Sequence, residues 1–433
     1  MELTAVEKIM MKHSVDPINT ISPGDIVTCR IDYAGMHEGF DARKYTQFRD
    51  LGEMTGVFDP EKVGMYLGHH FCTGHSDELA EDQKKTREWA KKLGIRVFNF
   101  GSGIAHIIIM EEGLAYPGAL CVFGDSHTPA YGAVGAISAQ CGIEMAQVFL
   151  TGTLWFKVPE THKYVITGET KKGVYPRDVI QHIVGKVGMD ASVYKCIEWD
   201  GSYIHSLPVP LRFPFTLMAT ELGAKCSFLE PDATTVEWLK GRVKKPYEIV
   251  KSDPDAVFEK TYTFDVSHLE PQVCAPSSPE NTKPLSEALG AKIDQVCIGT
   301  CTGGSIYDFR EAAKILKGHK VKARTLIIPS TGEVMKQCAA EGLLQVFVES
   351  GCDLFPAYCG TCQTLSIGHL APGEVQMHPG PRNWPGRTAE GSYTYLGSPA
   401  TCAATAVEGR IADPRDYLSL QRYIAKINVD EIA

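Results

Sequence analysis

Three features of the sequence predict an α/β fold. Short apolar runs recur, and each ends in a glycine-bearing polar loop. Val63-Gly64-Met65-Tyr66-Leu67 leads into Gly68-His69-His70, Ile95 to Phe100 into Gly101-Ser102-Gly103, and Leu120-Cys121-Val122-Phe123 into Gly124-Asp125-Ser126-His127-Thr128. Helix-prone stretches separate the runs. Residues able to do chemistry collect at the ends of the runs, where open α/β sheets bind ligands.

In chain order, residues 1–10 read as an amphipathic helix, since they carry acid early and lack the apolar core of a secretory signal. Gly24 to Cys29 opens a strand, and residues 31–60 are mixed. Asp77 to Lys92 is charged, with i, i+4 pairs that favour a helix. His106 falls in the first turn of a helix after the Gly101–Gly103 loop, and the small residues of Gly132 to Gly152 predict a packed helix pair. Helices are expected over Asp178–Val187 and over Phe213–Gly223, the latter carrying Glu221, with a strand at Lys195–Trp199 between them. Residues 243–290 are polar and proline-rich, and read as a connection with one strand, Lys260 to Val266. A last α/β segment has strands at Asp294–Ile298 and Arg324–Pro329 around a helix at Ile306–Leu316.

A chain of 433 residues exceeds one compact core. Three domains are expected: 1–163, α/β with His and Asp loops; 164–290, a second α/β domain and the connection; 291–433, an α/β domain carrying candidate ligand cysteines. A net charge of −9 with no basic stripe argues against nucleic acid. No apolar run reaches the length of a membrane span. Without a signal peptide, the 14 cysteines are expected to be reduced thiols in a cytoplasmic protein.

Most of these thiols sit singly in apolar surroundings and read as small core residues. Cys301 differs. Gly299-Thr300-Cys301-Thr302-Gly303-Gly304 is a strand-to-helix turn, where backbone N–H groups favour a thiolate. Cys359 and Cys362 form a C-x₂-C pair, which can be half a zinc site, a redox pair, part of an iron–sulfur site or chance. No second C-x₂-C completes a zinc ribbon, and the pair lies far from the first strand of a small redox domain. Two thiols with a lone third match a three-thiolate iron–sulfur site with one iron left open; redox and zinc uses remain the alternatives. His69, His106 and His127 follow successive strands, whose ends converge, and Asp125 is placed to fix a histidine tautomer. Arg382 and Arg387, in a Gly/Pro loop, read either as a solvated loop or as forks for carboxylate.

Several spaced stretches together resemble the aconitase superfamily, and within it the large subunits of two-chain enzymes such as 3-isopropylmalate dehydratase and homoaconitase. Gly101-Ser102-Gly103-Ile104-Ala105-His106, Gly124-Asp125-Ser126-His127-Thr128, Met218-Ala219-Thr220-Glu221-Leu222-Gly223-Ala224, Gly299-Thr300-Cys301-Thr302, the C-x₂-C and Arg382-Asn383-Trp384-Pro385-Gly386-Arg387 occur in the family's order. The resemblance implies a three-domain α/β/α architecture around a central [4Fe–4S] cluster held by Cys301, Cys359 and Cys362. It implies that His69, His106 and His127, with Asp125 and Glu221, assist a leaving hydroxyl, while Ser126, Arg382 and Arg387 bind substrate. The implied reaction is reversible dehydration of a 2-hydroxy di- or tricarboxylic acid, with isomerisation as a possible continuation. The family's swivelling domain has no counterpart before Ala433, so a separate small subunit and a hetero-oligomer are expected.

The sequence also departs from the family. Gly68 stands where an Asp is usual, Gly303 and Pro381 where Asn is usual, and Ser305 where an Arg is usual. These changes imply a divergent paralogue acting on a hydroxy acid such as a substituted malate. Two further classes are set against this reading: a non-catalytic sensor or binding protein, and a thiol oxidoreductase using Cys359 and Cys362 alone.

Overall fold

The computed structural model describes residues 2–37, 56–69, 77–363 and 366–418. His70 and the remainder of the first histidine loop lie outside the described residues. The chain divides into two compact units, Met1–Gly168 with Met189–Asp265, and Glu169–Gly188 with Val266–Ala433.

The first unit holds a five-stranded, fully parallel sheet in the order Arg96–Phe98, Val63–Tyr66, Tyr33–His37, Leu120–Phe123, Ile137–Gln140. Parallel strands buried on both faces read as continuous apolar runs, as Leu120–Phe123 does. The same unit holds a four-stranded parallel sheet, Cys226–Leu229, Cys196–Asp200, Thr161–Thr167, Lys260–Asp265. Its N-terminal helix, Ala5–His13, starts on a capping box between Thr4 and Glu7 and buries Val6, Ile9 and Met10. The i, i+3, i+4 spacing of these residues gives one apolar face against a core that includes Val122, Val148 and Phe149.

The second unit is built on a seven-stranded mixed sheet: Thr282–Pro284, Gln272–Cys274, Tyr393–Gly397, Val375–His378, Gln295–Gly299, Arg324–Ile328, Asp353–Leu354. Strands pair antiparallel at the Thr282 edge and parallel elsewhere. The helices Ile306–Leu316 and Pro399–Glu408 supply Phe309, Ile315, Ala403 and Val407 to its core. The α/β expectation holds.

Local expectations fail in three places. Gly132–Gly152 is no helix pair but a 3₁₀ segment Thr128–Val134, a strand Ile137–Gln140 and a helix Met145–Thr151. The small residues there serve close backbone packing: a Cβ on Gly132 would lie 2.4 Å from the Ser227 carbonyl oxygen. The helix expected from Phe213 begins at Val209 and tightens into a 3₁₀ turn over Met218–Leu222, which carries Glu221. The 243–290 connection contributes three short strands instead of one.

Candidate active site

The parallel sheet of the first unit brings its strand ends to one side, and the sequence puts a histidine or aspartate after each of three strands. His69 follows Val63–Tyr66 by three residues, His106 lies on the helix Ala105–Glu111 after Arg96–Phe98, and Asp125 and His127 follow Leu120–Phe123. His69 and His106 are 1% exposed and Glu221 likewise, so these polar groups are committed to one another rather than to water.

Asp125 is the hub. Its Oδ1 accepts the His127 backbone N–H at 2.8 Å and faces His106 Nε2 at 3.3 Å and His127 Nδ1 at 3.5 Å. His127 Nε2 in turn meets Glu221 Oε1 at 3.2 Å. Only the imidazolium form carries a proton on both nitrogens and so can donate to both carboxylates. Thr220 Oγ1 donates to the Ser126 carbonyl oxygen at 2.7 Å, which ties the turn carrying Glu221 to the loop carrying His127.

His69 stands edge-on to His106, ring centres 4.7 Å apart. Its Nδ1 accepts the Ala105 backbone N–H at 3.2 Å. The ring is thus oriented by backbone, where the family's usual Asp is absent at Gly68. Gly68 has φ +99, and a Cβ there would stand 2.6 Å from Phe100 Cα, so this backbone suits glycine. His69, His106 and Asp125 each offer a ligand atom within 4.8 Å of the others, a spacing that suits a metal ion. The Ala105 bond places the His69 proton on Nε2, however, so this ring presents a donor and not a lone pair.

Sequence reasoning missed His37, which ends the central strand Tyr33–His37 and has its ring centre 5.6 Å from that of His69. The signal was present: Tyr33-Ala34-Gly35-Met36 is an apolar run ending in a histidine, like its neighbours.

The second unit carries the cysteines. Cys301 follows the strand Gln295–Gly299, and Cys359 and Cys362 bracket a 3₁₀ turn, Gly360–Cys362. All three are buried. The Cys362 thiol hydrogen-bonds Cys359, which with burial and the nearby Cys301 pushes the Cys359 thiol well up. Thr300, immediately before Cys301, sits in the left-handed region at φ 66, a position costly for a β-branched residue. Thr302 Oγ1 donates to the Pro379 carbonyl oxygen at 2.5 Å, and Arg177 Nε and Nη2 donate to the carbonyl oxygens of Pro379 and Gly380 at 2.8 Å each. Buried Arg177 thus braces the 379–380 loop, a role that nothing in its sequence surroundings signalled. A Cβ on Gly303 would lie 2.5 Å from the Pro379 ring, so the close approach here suits glycine.

These residues fit an iron–sulfur group. Three soft sulfur donors from two loops are buried and close enough to interact. Two buried polar atoms beside them, Thr300 Oγ1 and His378 Nε2, have no protein partner. Arg387 Nη2 lies 3.9 Å from Cys362 Sγ and offsets thiolate charge. Its Nε is already spent on the Cys362 carbonyl oxygen at 2.8 Å. The Arg382 guanidinium lies over the Trp384 ring, 5.2 Å from its centre.

A parallel-sheet unit with a buried His/Asp/Glu cluster and a mixed-sheet unit with three gathered thiols define an aconitase-like protein. The sequence pattern of the aconitase family (aconitate hydratase) matches residues 69–292 and 287–409, and the chain belongs to that family. It is 40% identical to 3-isopropylmalate dehydratase large subunit 1 of Pyrococcus furiosus, over 96% of this chain and 99% of that one. It is 39% identical to a protein of Methanosarcina mazei described as a probable methanogen homoaconitase large subunit, over 89% of this chain and 98% of that one. Among solved structures, holo aconitase X of Thermococcus kodakaraensis aligns with a TM-score of 0.51 over 81% of this chain and 83% of that one; at 15% identity this likeness concerns the fold alone. The expectation of an aconitase-type hydro-lyase of the large-subunit kind is borne out by these matches. No helix among the described residues is long and apolar enough to cross a membrane.

Proposed function

We propose that the chain is the large subunit of an iron–sulfur hydro-lyase that reversibly dehydrates a 2-hydroxy di- or tricarboxylic acid of the substituted-malate type. The reading is carried by the gathering of the buried thiols of Cys301, Cys359 and Cys362 next to two unsatisfied polar atoms. These cysteines hold a [4Fe–4S] cluster, and when bound its iron without a protein thiolate supplies a Lewis acid for the substrate's hydroxyl and carboxylate. His106 and His127, with charge balanced by Asp125 and Glu221, deliver and take back the proton that accompanies the hydroxyl. His69 donates through Nε2 and orients the substrate together with Ser126. Arg387 and Arg382 supply positive charge for carboxylate. A separate small subunit provides the remaining groups, in keeping with the large-subunit names of the relatives.

A thiol oxidoreductase reading is disfavoured by access: Cys359 is 7% and Cys362 1% exposed, where an exchanging thiol has to reach its partner. The decisive experiment is anaerobic purification with iron and sulfide assay, followed by Cys301→Ala. The cluster reading expects both elements in the unaltered chain and their loss in the variant. Zinc in their place, or iron content indifferent to Cys301, would overturn it. Adding the small subunit should then produce dehydration of 3-isopropylmalate or a smaller alkylmalate, read as formation of the unsaturated diacid.

A further inference from the structure

The reading above uses His378 only as one of two unsatisfied buried atoms and gives it no role, yet its ring is fixed at Nδ1 and fully buried. It ends the strand Val375–His378, which pairs in parallel with Gln295–Gly299, the strand that leads to Cys301. The side chain is fully buried. Nδ1 accepts the Gly380 backbone N–H at 2.8 Å. An imidazole that accepts through Nδ1 carries its proton on Nε2, and that N–H is buried with no partner in the protein. Leaving a buried donor unsatisfied is costly, so a structure that keeps one calls for an explanation.

The surroundings show what that use is. A Cβ built on Gly380 would lie 2.5 Å from His378 Cε1 and 3.3 Å from Cys362 Sγ, so imidazole and thiol both border the space left by one missing side chain. With Nδ1 taken by the Gly380 N–H, Nε2–H is the donor that the ring presents. At Gly303, Pro379 and Pro399 stand at 2.5 and 2.9 Å from where a Cβ would sit, so no side chain from that position can serve as donor instead. Sulfur of a thiolate or an inorganic sulfide is an acceptor of the kind such a donor meets.

We infer that His378 is a positioning residue of the cluster site: it donates Nε2–H to a sulfur of the iron–sulfur group held by Cys301, Cys359 and Cys362, and so sets the group's reduction potential and its resistance to air. The inference rests on the cluster reading. A hydrogen bond to sulfur stabilises the more negative, reduced form, so removing it lowers the potential and eases oxidative loss of iron. The residue touches no reacting atom of substrate, and its effect is legible without any activity assay.

The test compares His378→Leu and His378→Gln with the unaltered chain, each reconstituted anaerobically. Gln keeps an N–H donor and Leu does not. The expected result is equal iron and sulfide content in all three, a lower midpoint potential and several-fold faster bleaching in air for His378→Leu, and values near the original for His378→Gln. Unchanged potential and bleaching in His378→Leu would overturn the inference while leaving the cluster reading intact. Should His378→Leu fail to take up iron, His378→Gln decides: recovery of iron and potential supports the donor role, and the same failure refutes it. Absence of iron and sulfide from the unaltered chain is a separate outcome and removes both readings.

Discussion

Nε2 of His127 meets Oε1 of Glu221 at 3.2 Å, although 94 residues separate them. The other nitrogen of the same ring faces Asp125, so the imidazole is held between two carboxylates. Glu221→Gln keeps the shape and a hydrogen-bonding group but removes one of the charges that favour the imidazolium. With the small subunit present, kcat is expected to fall by about 10²-fold, the lower part of the range for losing a positioned proton-transfer group. Iron content should stay level. A Gln variant with full kcat would take Glu221 out of the proton-handling set.

Gly68→Ala tests whether the first histidine loop can accept any side chain. The new Cβ would stand 2.6 Å from Phe100 Cα in a backbone at φ +99. Strain of about 1–3 kcal/mol is expected from the conformation, with displacement of Phe100 added to it. Thermal unfolding should shift downward by several degrees. An unchanged midpoint would show that the close approach to Phe100 yields at no cost.

Arg177→Lys should uncouple the 379–380 loop. Arg177 makes three bonds from one planar fork, to Pro379 O, Gly380 O and Gln181 Oε1, each at 2.8 Å. An ammonium group cannot span these acceptors and leaves buried carbonyls unsatisfied. A loss of about 2–5 kcal/mol in denaturant unfolding and poorer iron retention are expected.

Asp178 gives a pH dependence. It is 1% exposed, and burial raises its carboxyl from 3.8 to about 6 even though it accepts the backbone N–H groups of Gln272 and Tyr175. The folded form therefore holds a proton that the unfolded chain has released between those values. Stability from this group is complete below the unfolded pKa and is lost as pH rises through the folded one, at most about 3 kcal/mol. Denaturation midpoints compared at pH 5 and pH 7.5 should fall for the unaltered chain more than for Asp178→Asn. Equal slopes would contradict it.

Much of this site was legible in the chain itself. Strands that end in glycine and then a histidine or aspartate carry their own local signal, which is why His69, His106, Asp125 and His127 could be named. The C-x₂-C announced itself by spacing, and Cys301 by its turn. His37 was hidden because its strand lies in a stretch read as mixed. Arg177 and His378 were hidden for another reason: their importance comes from what they touch, at residues 200 positions away or across neighbouring strands. The small-residue stretch at Gly132–Gly152 misled because glycine and alanine serve tight turns as readily as packed helices.

Sequence alone determined the α/β class, the family and the inventory of reactive groups, since strand periodicity, turn residues and motif spacing are properties of neighbours along the chain. Tertiary structure decided how those groups are wired. It chose Asp125 as the shared partner of two histidines, gave His69 Nδ1 the Ala105 backbone N–H, and turned Arg387 toward Cys362. It also left a buried imidazole N–H beside the cysteines. Hydrogen bonds of about 3 Å depend on packing between segments remote in sequence, and that packing is settled only when the sheets and their covering helices come together.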